Sequence, residues 1–211
     1  MRQIPRLMDM GLDKLNSLLL EMATLSESAV TASIEAYREG GKGEDVKKMA
    51  DHLQSLHRQV SDLSMEVIAR YQPVATDLRF IKACFEVSYG FFRYGRYALD
   101  IVDVLDSIGN LGKCDQTAVV ETARKTQEMI RMSVDAFARR DVALARRISK
   151  MDDLVDESYR QNLRKVIAEK GNLKCTLSAT LILRYLERIA DHATYIGESV
   201  DYIVTGVEPS D

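Results

Sequence analysis

Two pairs of carboxylates, Asp152 with Asp156 and Glu187 with Asp191, have the type and spacing best suited to chemistry in this chain. The acids of each pair stand four apart, which on a helix puts them on one face with roughly 5 to 6 Å between them. Like charges so placed repel by a few tenths of a kcal/mol, so holding them together calls for a cation. Each pair also lies directly beside apolar residues of helical period, Met151 and Val155 for the first and Leu186 and Ala190 for the second. Facing one another, the four would form an all-oxygen site for hard or borderline cations such as Mg²⁺, Mn²⁺, Ca²⁺ or ferric iron, and less naturally for zinc. The competing reading is that they point to water or pair with Arg160, Arg164, Arg184 and Arg188.

The second pair belongs to a longer column. Arg184, Glu187, Asp191, Thr194, Glu198 and Asp201 recur at alternating steps of three and four beside an apolar stripe of Ile182, Leu186, Ile189, Ala193, Ile196, Val200 and Ile203. Such a stripe is the seam of a helix packed in a bundle. His192 follows Asp191, but a lone histidine beside charges is more often a hydrogen-bonded or surface residue than a ligand. A di-iron oxidase bundle would carry Glu-x-x-His, and the residue three after Glu187 is Ala190. The chain has no phosphate-binding G-x-x-x-x-G-K-[ST], no G-x-S-x-G elbow and no Cys/His nucleophile pair, so no catalytic residue is assigned. GGKGED at 40–45 reads as a glycine-rich loop.

The elements that must position these acids are helices. Met8, Leu12, Leu15, Leu19, Met22, Val30, Ile34 and Tyr37 mark a first helix over 6–39, stopped by Gly40, Gly41 and Gly43. Val46 to Val67 carry a second, which closes at Tyr71 before Pro73. A third begins at a cap offered by Thr76 or Asp77 and runs to Gly109. After GNLGKCD a fourth is marked by Val119 to Phe137, and a break at 139–141 leads to a fifth through Val166. A sixth spans about 174–205 after Gly171 and Asn172. The short connection at Gly171 and Asn172 makes the fifth and sixth helices antiparallel neighbours, which would bring the two acidic pairs face to face. Of the three prolines, at 5, 73 and 209, the outer two interrupt no periodic pattern.

With 46% hydrophobic and 29% charged residues, the 211-residue chain has the composition of a soluble globular protein with a sizeable core. A net charge of -3 and the lack of a basic, aromatic-interleaved stretch argue against nucleic acid as a partner. No apolar run reaches the ~18 residues of a membrane span, and the first residues, MRQIPRLMDMGLDKL, do not form a secretory signal. Cytoplasmic location without membrane insertion is therefore expected. Cys84, Cys114 and Cys175, odd in number and without C-x-x-C, are expected to be reduced thiols without a role.

Three helices followed by three suggest a duplication. Glu35-Ala36-Tyr37 returns as Asp135-Ala136-Phe137, and Lys48-Met49-Ala50-Asp51 as Lys150-Met151-Asp152-Asp153. Arg93-Tyr94-Gly95 with Ala98 and Ile101 returns as Arg188-Ile189-Ala190 with Ala193 and Ile196. The expected fold is all-α, two repeated antiparallel three-helix bundles, over 1–110 and 111–211.

Over its whole length the chain resembles the PhoU family, through QPVATDLRFI at 72–81, MDDLVD at 151–156 and RYLERIADHATYIGESV at 184–200. The resemblance implies a metal motif of an acid, three residues and then Asp, on the second and third helices of each repeat. Here Asp152 with Asp156 and Glu187 with Asp191 match it, and the family links these positions to iron, manganese, magnesium or zinc. The first repeat departs from the motif, with Ala50 and Gln54, and Phe92 and Arg96, at the matching positions. The metal site is thus expected in the second repeat alone, with Arg96 supplying fixed positive charge in the first and Asp103 or Asp106 as its partner. The resemblance further implies a non-enzymatic, negative regulator of phosphate transport and homeostasis, a partner of the phosphate ABC transporter ATPase and, in bacteria, of a sensor kinase. Left open beside it are an accessory of an inorganic phosphate permease, a metal-storage or metal-dependent hydrolytic bundle, and a homodimer.

Overall fold

Three-four apolar repeats become six helices in the structure, a computed structural model that describes residues 7–40, 43–109, 111–168 and 171–207. They are α1 (Leu7–Glu39), α2 (Glu44–Tyr71), α3 (Ala75–Ile108), α4 (Thr117–Arg139), α5 (Val142–Ala168) and α6 (Leu173–Thr205), and no strand occurs among the described residues. Pro5, Pro209 and the loop residues Gly41 and Lys42 lie outside the described residues.

The stop signals act largely as their chemistry dictates. Gly40, Gly109 and Gly206 take φ of 74°, 76° and 74°, a left-handed backbone that costs glycine little. At Gly109 and Gly206 the amide bonds back to the carbonyls of Leu105 and Tyr202. Asn172, rather than ending α5, caps α6: its side-chain oxygen accepts from the amides of Lys174 at 3.0 Å and Cys175 at 3.4 Å. The start of α3 departs from expectation. Neither Thr76 nor Asp77 caps it; both lie inside the helix, Val74 occupies the cap without a side-chain hydrogen bond, and the Thr76 hydroxyl accepts from Arg79 at 3.1 Å. Pro73 disfavours right-handed helical geometry at Gln72; Gln72 and Ala75 both take positive φ, and α3 already begins at Ala75.

α1, α2 and α3 pack mutually, as do α4, α5 and α6, and the two bundles meet along α3 against α6 and α1 against α4. A Cβ on Gly90 of α3 would lie 2.9 Å from the Ile196 side chain of α6, so glycine permits that close approach. Buried side chains from all six helices join one apolar core. At its centre Phe91 meets Phe137 edge-on at 6.4 Å, and the buried Tyr94 hydroxyl lies 3.2 Å from Ser133 Oγ of α4. The two bundles thus share a wall. No helix among the described residues is long and apolar enough to cross a membrane.

Two of the three cysteines contradict the expectation of free thiols. Cys114, in the linker between α3 and α4, is bonded to Cys175 in the first turn of α6, with their Cα atoms 5.4 Å apart. The linker and the α5–α6 turn fall at the same end of the molecule, a juxtaposition that local spacing does not reveal across 61 residues. Cys84 is a free, buried thiol.

Candidate metal centre

α6 carries its acids as the sequence pattern requires. Ile182, Leu186, Ile189, Ala193, Ile196 and Val200 are fully buried, which fixes the rotation of the helix and leaves Glu187 and Asp191 at the edge of the core. α5 runs antiparallel to it. Arg146, near the start of α5, donates to Asp201 at 2.7 Å, and Asn162, near its end, donates to Thr180 at 2.9 Å. Midway along this pair, Asp152, Asp156 and Asp191 each present an oxygen within 4.8 Å of the others, enough to hold a metal ion.

Glu187 stands slightly apart from that trio. Arg184, one turn away, holds its Oε1, but its Oε2 is buried without a hydrogen-bond partner. Asp152 Oδ1 is likewise buried and unpartnered. Buried carboxylate oxygens without partners are costly, and a cation between α5 and α6 would satisfy both. The donors are all oxygen, which fits a hard or borderline metal. The arginine reading holds in part: Arg160 binds Asp156 at 2.5 Å and Arg184 binds Glu187, whereas Arg164 turns to Glu157 at 3.1 Å.

The electrostatics follow this crowding. Burial first, then Asp191, Asp156 and Glu187, push the Asp152 carboxyl up to about 7. Burial and Asp191 raise Glu187, against the pull of Arg184. Burial also raises Asp191, opposed by Arg188 and aided by Asp156. Without a cation the cluster therefore resists full ionisation.

His192 turns away from the acids into rings. It lies among Tyr89, Tyr97 and Tyr195, with centroids 5.6 to 6.0 Å away, and burial with Arg93 and Arg188 nearby lowers it to about 4. Arg93 stacks over Tyr97 at 4.4 Å. Sequence reading missed this aromatic patch, although Tyr89 and Tyr97, eight residues apart on one helix face, offered a signal for it.

The matching positions of the first repeat hold no such cluster. Phe92 stacks on His57 at 5.5 Å and 10° between ring planes. Arg96 bonds Asp100 at 2.9 Å, one turn along its own helix, and not Asp103 or Asp106 as expected. Asp100 stands at i+4, where the arginine side chain reaches without straining.

Comparison with known proteins places the chain in a family. The family model of the PhoU domain matches twice, over residues 19–105 and 119–200. A phosphate-specific transport system accessory protein PhoU homolog from Pseudomonas putida is 31% identical over 207 residues, covering 93% of this chain and 80% of that protein. Its counterpart from Pseudomonas aeruginosa is 29% identical, over 93% and 85%. The crystal structure of PhoU from Pseudomonas aeruginosa superposes with a TM-score of 0.86 at 28% identity, covering 94% of this chain and 99% of that one. The phosphate transport system regulatory protein PhoU from Streptococcus pneumoniae, at 18% identity and a TM-score of 0.74 over 97% and 100%, shares the fold.

Proposed function

The chain belongs to the PhoU family, and from that premise we propose that it is a cytoplasmic, non-enzymatic accessory of a phosphate-specific transport system, which restrains uptake and phosphate-starvation signalling as a metal-binding adaptor. Its partners on this reading are the transporter's ATPase and a sensor kinase. The relatives are named as accessory proteins of that system, which supports the transporter as partner. The single observation that carries the metal's part is the convergence of Asp152, Asp156 and Asp191 beside the orphaned oxygens of Asp152 and Glu187. These four residues would hold the ion, with iron, manganese, magnesium and zinc as the candidates. Bound there, it would supply positive charge that ties α5 to α6. Hydrolysis would need a general base beside the metal. The adjacent histidine is instead enclosed by tyrosines and depressed, which favours the adaptor.

The test has two arms. Metal content per chain, measured by elemental analysis, should vanish in the Asp152→Ala/Asp191→Ala double variant and persist in Gln54→Ala and Arg96→Ala. Metal retained in the double variant, or lost on changing Gln54, would put the site in the other repeat. Tagged protein should recover the transporter ATPase from membranes of phosphate-replete cells, and the double variant should recover less. Equal recovery by both would separate metal binding from partner binding.

A further inference from the structure

The Cys114–Cys175 bond stands where opening it would have a mechanical effect. Cys114 lies in residues 109–116, the linker joining the repeats, and Cys175 belongs to the first turn of α6. The linker is anchored on the first repeat by Gln116, which donates to the Tyr37 carbonyl at 3.4 Å, and in the core by Leu111. The disulfide anchors it to the second.

Both sulfurs belong to partly exposed residues, in contrast to Cys84, which is buried and pushed up to about 12. Cys175 is also within the first turn of α6, where the helix dipole favours a departing thiolate.

A cavity of about 390 Å³ opens beside the bond, with Cys175 itself in its wall. Asp115 and Glu121 supply negative charge to the lining, Lys165 positive charge, and Gln161, Asn162 and Ser158 neutral donors and acceptors. An inorganic ion needs one sign of charge, whereas a lining of both signs with amide groups suits a zwitterionic peptide.

We propose that Cys114–Cys175 is a reversible thiol–disulfide modification site, served by a zwitterionic peptide thiol of the glutathione class seated in the adjacent cavity, and that its opening frees the linker between the repeats. In the first step the peptide thiolate, seated in the cavity that Cys175 lines, attacks Cys175 Sγ, the Sγ–Sγ bond breaks, and Cys114 leaves as a thiolate that takes a proton from water. In the second a further peptide thiolate attacks the peptide's sulfur in the mixed disulfide and releases Cys175 as the departing thiolate. Two thiols are oxidised to one peptide disulfide and the protein disulfide is reduced to two thiols. Excess peptide disulfide reverses both steps.

The test uses the full chain in a series of reduced and oxidised glutathione mixtures, quenched in acid, alkylated and weighed by mass spectrometry. The bond should open and re-form in the folded protein while Cys84 stays unreacted. On opening, amide hydrogen exchange should rise in 111–116 and 171–176 and little elsewhere. Lys165→Ala should slow opening by glutathione several-fold and leave opening by 2-mercaptoethanol unchanged. With oxidised glutathione, Cys114→Ser should stop at a mixed disulfide on Cys175. The proposal is overturned if the bond is absent and does not form with oxidised glutathione, if glutathione opens it only in denaturant, if opening leaves linker exchange unchanged, or if Lys165→Ala affects both thiols alike.

Discussion

Burial and neighbouring carboxylates push Asp152 the same way, and the direction sets a thermodynamic sign. Its folded-state value of about 7 lies above the ordinary carboxylate value of about 3.9, so between those limits the metal-free folded protein binds more protons than the unfolded chain. The contribution is fully present below about 3.9 and is lost as pH rises from there through 7. His57 and His192 are lowered by burial and titrate with the opposite effect, so a paired comparison is needed to cancel them. After chelation, Asp152→Asn should melt above the parent at pH 8, with the gap closing toward pH 4. Because Asp152 is half-buried, water screens the effect to on the order of 1 kcal/mol, or about 2 to 4 °C for a chain of this size. A gap constant with pH would show that Asp152 carries no such strain. At this scale the sequence was legible for the acid pairs, whose i, i+4 spacing follows the period of the seam beside them. It failed for Arg96, where repeat equivalence pointed to Asp103 and Asp106 but side-chain reach selects Asp100.

α5 and α6 must run close and antiparallel for acids on two helices to meet, and Gly197 sets part of that spacing. A Cβ there would lie 3.1 Å from the Ala145 carbonyl oxygen and 3.3 Å from Ile148 Cδ1. The carbonyl belongs to α5 backbone and cannot swing aside. Gly197→Val should therefore push the helices apart, destabilising the protein by about 1 to 3 kcal/mol, partly offset by up to about 1 kcal/mol of helix propensity gained on losing glycine. Metal content should fall with it, since the ligands stand on both helices; a lower melting temperature with full metal content would show that Gly197 spaces the core and not the site. The helices themselves were legible because their three-four repeats are long and glycine or proline stands after all but α4, which Arg140 caps. Their exact starts were not. Thr76 and Asp77 have capping chemistry, but the helix already begins at Ala75 with Val74 at its cap, which places both inside it.

At the scale of the whole molecule, duplication suggested two bundles, whereas packing unites them: Phe91 and Tyr94 of α3 reach Phe137 and Ser133 of α4, and all six helices feed one core. Neither half keeps its apolar wall without the other, so heat should unfold the chain in one transition with equal calorimetric and van't Hoff enthalpies; two resolved transitions would show the repeats to be independent. Residues distant in sequence were the least legible, and the disulfide most of all. It makes the chain a covalent ring with two tails, since residues 114 to 175, including all of α4 and α5, form a closed circuit. Loop-closure arithmetic for such a ring gives a stabilisation of about 4 kcal/mol. Topology adds a second consequence, because a ring cut once is still one molecule. Trypsin acting at the exposed Arg139, the last residue of α4, should leave a species that keeps the full 23.8 kDa on a gel run without reductant. The same digest with reductant should resolve into fragments of 1–139 and 140–211. Fragments that part without reductant would mean that the circuit was already open.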